Sequence, residues 1–192
     1  MPAEQPIFQD LKISVTCQPN SEGELLTREL QRTRAQVTVS WPQPERLPEG
    51  YDVIYCEYFP GLVHTLPWAP GEATSALVVV LFPDVPYDLK AVCNCSPDAV
   101  LHSPFAPREV TTSLVIARDR FQYIKRLQKR IDRLDETLRS TRQIERAKQI
   151  LMSSRDMNEQ EAYDYLRRNA MKRRVSIAVL ATAVVDSDML LG

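Results

Sequence analysis

The 192-residue sequence predicts a chain of two structural classes, an α/β domain built on a parallel sheet and then an all-α arm of coiled coil and helical bundle. Three observations predict it. Helix breakers are confined to one half, since all 14 prolines lie at or before Pro107 and four of the five glycines at or before Gly71. Apolar runs of strand length occupy that same half, whereas apolar residues beyond Ala106 recur at the three-four spacing of a helix. Charge divides at nearly the same place: residues 1–117 carry seven basic and 14 acidic side chains, residues 118–174 carry 17 and nine, within a formal net charge of −1. The near-neutral total hides a basic segment joined to an acidic one, and the basic segment calls for a polyanionic partner.

In the first half, Leu11–Cys17, Ala35–Ser40, Tyr51–Tyr58 and Ala76–Phe82 are β-branched or apolar runs bounded by Pro, Asn and Gly, and Ala99–His102 is expected as a fifth strand. Glu22–Arg34 reads as a helix with Leu25, Leu26 and Leu30 on one face and Asn20 or Ser21 as its cap. Pro67, Pro70 and Gly71 make the third crossover a poor helix, while Val85–Cys95 has room for a short one. Strands separated by crossovers imply a flavodoxin-like domain over residues 1–117.

Beyond Ala106 the pattern stays helical for more than forty residues. Ile124, Leu127, Ile131, Leu134 and Leu138 fall on heptad a and d positions, and Thr141 and Glu145 continue the phase less well. β-Branched residues at a with leucine at d favour a two-stranded parallel coil, placed at residues 118–143; Arg130 at g and Asp135 at the next e suit an ion pair between its strands. Residues 144–192 then read as a small bundle. Asn158 with Glu161 forms a capping-box start, Ala162, Leu166 and Ala170 give the following helix an inner face, and Ser176 caps an apolar helix holding Ile177, Leu180, Ala181, Val184 and Val185.

Composition excludes several classes. At 44% hydrophobic and 26% charged the chain is of ordinary globular type. Its longest apolar stretch, Ile177 to Val185, falls short of the roughly 18 residues of a membrane helix. The start carries Glu4 and Asp10 with no basic region, unlike a secretory leader, so a cytoplasmic protein is expected. Cys17, Cys56, Cys93 and Cys95 form no paired motif and only His64 and His102 accompany them, so neither a metal nor a cofactor is expected. With no glycine-rich phosphate loop, nucleophile motif or His-carboxylate set, the reading is not an enzyme.

The stretch Ile144–Met152 (IERAKQILM), Glu161-Ala162, Leu166-Arg167-Arg168, Ala170–Arg174 (AMKRR) and the terminal apolar helix together resemble the ANTAR domain, the RNA-binding module of bacterial antiterminators. The remaining architecture, including Trp41-Pro42-Gln43-Pro44-Glu45 after the second strand, is similar to that of the amidase-operon members of the family, in which a receiver-like domain precedes a coiled coil. This resemblance implies a dimer that binds paired hexaloop hairpins in the leader RNA of an amidase or nitrile/amide-metabolism operon. It also implies control by an amide-sensing partner of periplasmic-binding fold. Lys148, Arg167, Arg168, Lys172, Arg173 and Arg174 are the expected RNA contacts, with Tyr163 and Tyr165 offering stacking faces, and Trp41 and Trp68 possible anchors for the partner.

A phosphorylatable receiver needs an acidic pair after the first strand, an aspartate ending the third, Ser or Thr after the fourth and lysine before proline after the fifth. This chain offers Cys17-Gln18-Pro19-Asn20, Glu57, Phe82 and Ser103-Pro104 at those places, so no phosphotransfer device is present and Glu57 and Ser103 mark a degenerate acceptor region. An atypical response regulator that binds DNA is the alternative. Against it, the last helix has no side chains suited to reading a groove.

Overall fold

The computed structural model describes residues 8–69 and 71–191; Glu4 and Pro70, which entered the sequence reading, lie outside them. The chain divides into two compact units, residues 1–125 and 126–192.

In the first unit β1 (Lys12–Thr16), β2 (Gln36–Val39), β3 (Val53–Glu57), β4 (Ala76–Leu81) and β5 (Ala99–His102) form one parallel sheet in the order β2-β1-β3-β4-β5. That order is the flavodoxin-like one, with its topological switch between β1 and β3. The central strands β3 and β4 are buried at every position, which is why their sequences run apolar without alternation.

One face of the sheet is covered by α1 (Ser21–Arg32) and the start of α4 (Pro107–Arg155), through Leu26, Leu30, Val110, Leu114 and Ala117 on Ile13, Val15, Tyr55 and Val78. Buried Tyr55 fixes α4 further, its hydroxyl lying 3.0 Å from Ser113 Oγ. The other face carries α2 (Leu62–Thr65) and α3 (Leu89–Asn94), through Leu62 and Val92 on Ile54, Cys56, Leu77 and Val79. Of the two caps the sequence offers for α1, Asn20 is the one used: its side chain accepts from the Gly23 amide at 2.8 Å.

Helices do not fill every crossover. Between β2 and β3 the chain has none, because Pro42, Pro44 and Pro48 remove the donors a helix needs. That segment is anchored instead by Leu47, buried in the second core and donating its amide to Thr65 O at 2.8 Å.

Helix α4 is continuous for 49 residues, with no proline or glycine after its first position to break it. The second unit is its C-terminal part with α5 (Glu159–Arg173) and α6 (Ile177–Leu191), closed around Ala147, Leu151, Ala162, Leu166, Ala170, Leu180, Ala181 and Val185. The expected inner face of α5 is the observed one. No described helix is long and apolar enough to cross a membrane.

Candidate nucleic-acid interface

Two places deserve comparison as sites: the rim where the strands of the parallel sheet end, the usual ligand crevice of such folds, and the outer faces of the bundle.

At the rim, Glu57 ends β3 and is 6% exposed. Burial raises its carboxyl pKa above the ordinary value, opposed by the Gln18 amide, which donates to Glu57 Oε2 at 2.9 Å. Gly23 lies so close to the Gln18 carbonyl that a Cβ there would collide with it, which locks the β1–α1 turn. Ser103 donates its amide to Leu81 O at 2.9 Å. The Glu57 carboxylate is thus engaged by the protein's own backbone, and among the described residues it is in no ion pair with a lysine. Cys17 and Cys56 nearby are buried, and burial pushes both thiols up, away from the reactive thiolate form.

In the bundle the opposite holds. A capping box starts α5, with the Asn158 side chain accepting from the Glu161 amide and Glu161 Oε2 from the Asn158 amide, each at 2.9 Å. With Ala162, Leu166 and Ala170 turned inward, the 100° step of a helix turns Arg167, Arg168, Met171 and Lys172 outward. The helix ends in a Schellman-type turn in which the Val175 amide reaches Ala170 O at 3.0 Å and Arg174 takes a left-handed φ of 57°. Arg167, Arg168, Lys172, Arg173 and Arg174 are all exposed, and none is in an ion pair among the described residues.

Lys148 does not share that surface. It is 7% exposed, and its ammonium lies 2.9 Å from Glu145 Oε1 and 2.7 Å from Glu159 Oε1. On α4 it sits beside the inward Ala147 and Leu151, so helical phase turns it toward the core rather than to solvent. Hydrogen bonds to Glu159 and then Glu145 raise its pKa, and the reciprocal bond lowers that of Glu159. Tyr165 is likewise engaged, with the Arg155 guanidinium 4.7 Å from its ring centroid, whereas Tyr163 is exposed.

Sequence reading missed a second basic set. Arg139, Arg142 and Arg146 are exposed on α4 at three- and four-residue spacing, on the face opposite Lys148. The spacing was the available signal.

On α4, Ile124, Leu127, Ile131, Leu134 and Leu138 are between 43% and 57% exposed. A stripe of five large apolar side chains left in water along one helix is far from the scattered exposure of a finished surface.

The AmiR N-terminal family matches residues 11–118 and the ANTAR domain residues 132–185. The chain belongs to the AmiR family. Along 184 residues it is 27% identical to the aliphatic amidase regulator of Pseudomonas aeruginosa, an alignment covering 94% of each chain. It is also 30% identical over 89 residues to the transcriptional regulatory protein PdtaR of Mycobacterium tuberculosis, covering 46% of this chain and 43% of that one. Among solved structures, the response regulator StyR is similar at 16% identity and TM-score 0.49, covering 93% of this chain and 99% of that one. A CheY-like response regulator of Mesorhizobium loti is similar at 15% and 0.42, covering 56% and 98%.

As an AmiR-family protein with an ANTAR domain, the chain is an RNA-binding regulator of transcription antitermination. All the free cations described above lie within the ANTAR match, and Glu57 and Ser103 within the AmiR match.

Proposed function

We propose that this AmiR-family chain acts as a coiled-coil dimer whose two ANTAR bundles grip paired hairpins in a leader RNA. Residues 1–117 form the receiver-like domain, 118–143 the dimerisation helix and 144–192 the RNA-binding bundle. The observation that carries the reading is the unpaired outer surface of the bundle. Among the described residues Arg167, Arg168, Lys172, Arg173 and Arg174 have no acidic partner in an ion pair, and a polyanion supplies what they lack. The exposed seam from Ile124 to Leu138 supports the dimer, because a second copy is the partner a heptad stripe fits.

The resemblance to an amidase regulator supports an amidase or nitrile/amide-metabolism operon as the target. The same proposal gives control to a partner protein, an amide sensor of periplasmic-binding fold, in keeping with a rim where Glu57 accepts from the Gln18 amide and is in no ion pair among the described residues. Of the two tryptophans offered as anchors, Trp41 is 44% exposed and Trp68 packs on the second core, so Trp41 is the docking residue. In this proposal the protein acts on nascent RNA in the cytoplasm, as a regulator rather than an enzyme.

The test is binding of the full chain to a labelled RNA with two adjacent hexaloop hairpins, beside a loop-scrambled RNA and duplex DNA. Preference for the intact hairpins is expected; tighter binding to duplex DNA would favour the DNA-binding response regulator instead. The composition of α6 already speaks against that alternative, since Asp186 and Asp188 are its only charged residues.

A further inference from the structure

Sequence alone groups Lys148 with the arginines of α5. The structure separates them. Among the described residues Lys148 is the one basic residue of the bundle that is buried, and both of its partners are carboxylates on different helices, Glu145 on α4 at 2.9 Å and Glu159 in the first turn of α5 at 2.7 Å. Glu159 immediately follows the cap Asn158, so the bond from Lys148 fixes the very point where α5 begins. A few residues away the guanidinium of Arg155 lies over Tyr165, a second cation tying the end of α4 to α5.

From this geometry we infer that Lys148 is a positioning residue of the RNA surface rather than an RNA contact: it clamps the first turn of α5 to α4 and so sets where Arg167, Arg168 and Lys172 stand. The inference rests on the RNA-binding reading above for its consequence, but the clamp is a property of the free protein.

A lysine held by two carboxylates sits in a group of net negative charge, which repels a phosphate, and bringing one to it would require breaking bonds already made at 2.7 and 2.9 Å. Its position on α4 beside the inward Ala147 and Leu151 lays its stem along the edge of the core and aims its ammonium at Glu159 across the junction of the two helices. Finally, α5 carries the exposed arginines on a helix of 15 residues, so a small change in the direction of its first turn displaces all of them together.

The two roles predict opposite signs for one substitution. If Lys148 touched RNA, Glu159→Gln would free it and remove a repelling charge, and affinity would rise. As a clamp, Glu159→Gln loosens α5 and affinity falls.

The experiment uses the full chain in three forms, Lys148→Met, Glu159→Gln and the double variant, with Lys148→Arg as the conservative rescue. In the free protein, hydrogen exchange of the first turn of α5 is expected to quicken in the first three and not in Lys148→Arg; unchanged exchange would overturn the clamp without reference to RNA. The two-hairpin RNA and its loop-scrambled control are then titrated at several salt concentrations. Lys148→Met is expected to lower affinity on the order of tenfold at every salt and to narrow the preference for the intact loops. The slope of log affinity against log salt is expected to stay unchanged, and the double variant to be no worse than Lys148→Met. A slope flattened by roughly 0.7 to 0.9 in Lys148→Met, or a gain of affinity in Glu159→Gln, would identify Lys148 as a phosphate contact and overturn the inference. If the wild-type chain itself shows no preference for the hairpins, it is the RNA reading that fails, and the exchange result still decides the clamp.

Discussion

The rim of the parallel sheet and the outer face of the bundle differ in where their polar groups point. At the rim Gln18, Asn20, Glu57 and the Ser103 amide are turned on one another or on adjacent backbone. On the bundle Arg167, Arg168, Lys172, Arg173 and Arg174 are exposed and in no ion pair among the described residues, Arg168 making only a hydrogen bond from Nε to Asp164 O at 3.3 Å. A fold can therefore keep the topology of a ligand crevice while its chemistry has gone, and the site must be sought where charges are left unpaired rather than where the topology would put it. Two glutamates show the contrast in one residue type. Burial raises the carboxyl pKa of Glu57, and a lysine lowers that of Glu159.

The largest effect expected is on assembly. Each apolar side chain of the seam buries about 1.5 to 3 kcal/mol when covered by a second copy, and a carboxylate there would be buried unpaired in both strands. Leu134→Asp should give monomers by light scattering at micromolar concentration and weaken binding to the paired hairpins. A dimeric variant would move the interface into the receiver-like domain and end the division of labour drawn here.

Next comes the turn between α5 and α6. Arg174 holds a left-handed φ of 57°, where glycine is the unstrained choice. Arg174→Gly should leave thermal stability unchanged or raise it by up to about 1 kcal/mol, while RNA affinity falls and the salt slope flattens by a little under one unit. Stability and binding moving in the same direction would mean that the arginine is kept for packing.

The smallest effects sharpen the contrast between the glutamates. Because the folded-state pKa of Glu57 is raised, its stabilising contribution is complete below the ordinary carboxyl value of 4.5 and is lost as pH climbs through the folded value. Glu57→Gln, which can still accept the Gln18 amide, should therefore melt higher at pH 7, with the gain vanishing in acid. For Glu159 the folded value is lowered, so its contribution is present above 4.5 and disappears as pH falls through the folded value. Glu159→Gln should melt lower at pH 7, with the loss vanishing in acid. Thermal scans of both variants against pH check the two signs.

Much of the fold was legible because its signals are local. The runs that became β1 to β5 lie within two residues of the observed strands at either end, Asn20 is one of the two caps expected for α1, and Asn158 forms the expected capping box with Glu161. The poor helix expected of the third crossover is the four-residue α2. The fate of Lys148 was not legible. Its partner Glu159 is 11 residues away, beyond a turn in which Asp156 takes a left-handed φ of 53°, and no helical or strand period links the two. The same holds for Arg155 over Tyr165. Side chains grouped by charge in a sequence are separated only when the turns between them are known.

The central claim is that RNA is held by the bundle's unpaired cations and not by the receiver-like domain. It is tested most directly by titrating the two-hairpin RNA at several salt concentrations against two variants of equal charge change. One replaces Arg173 and Arg174 with alanine, and the other replaces the exposed Arg28 and Arg32 of α1. The bundle variant should bind more weakly, with a salt slope flattened by nearly one unit per arginine in contact, while the α1 variant follows the wild type. Equal losses in both, or a loss confined to the α1 variant, would contradict it.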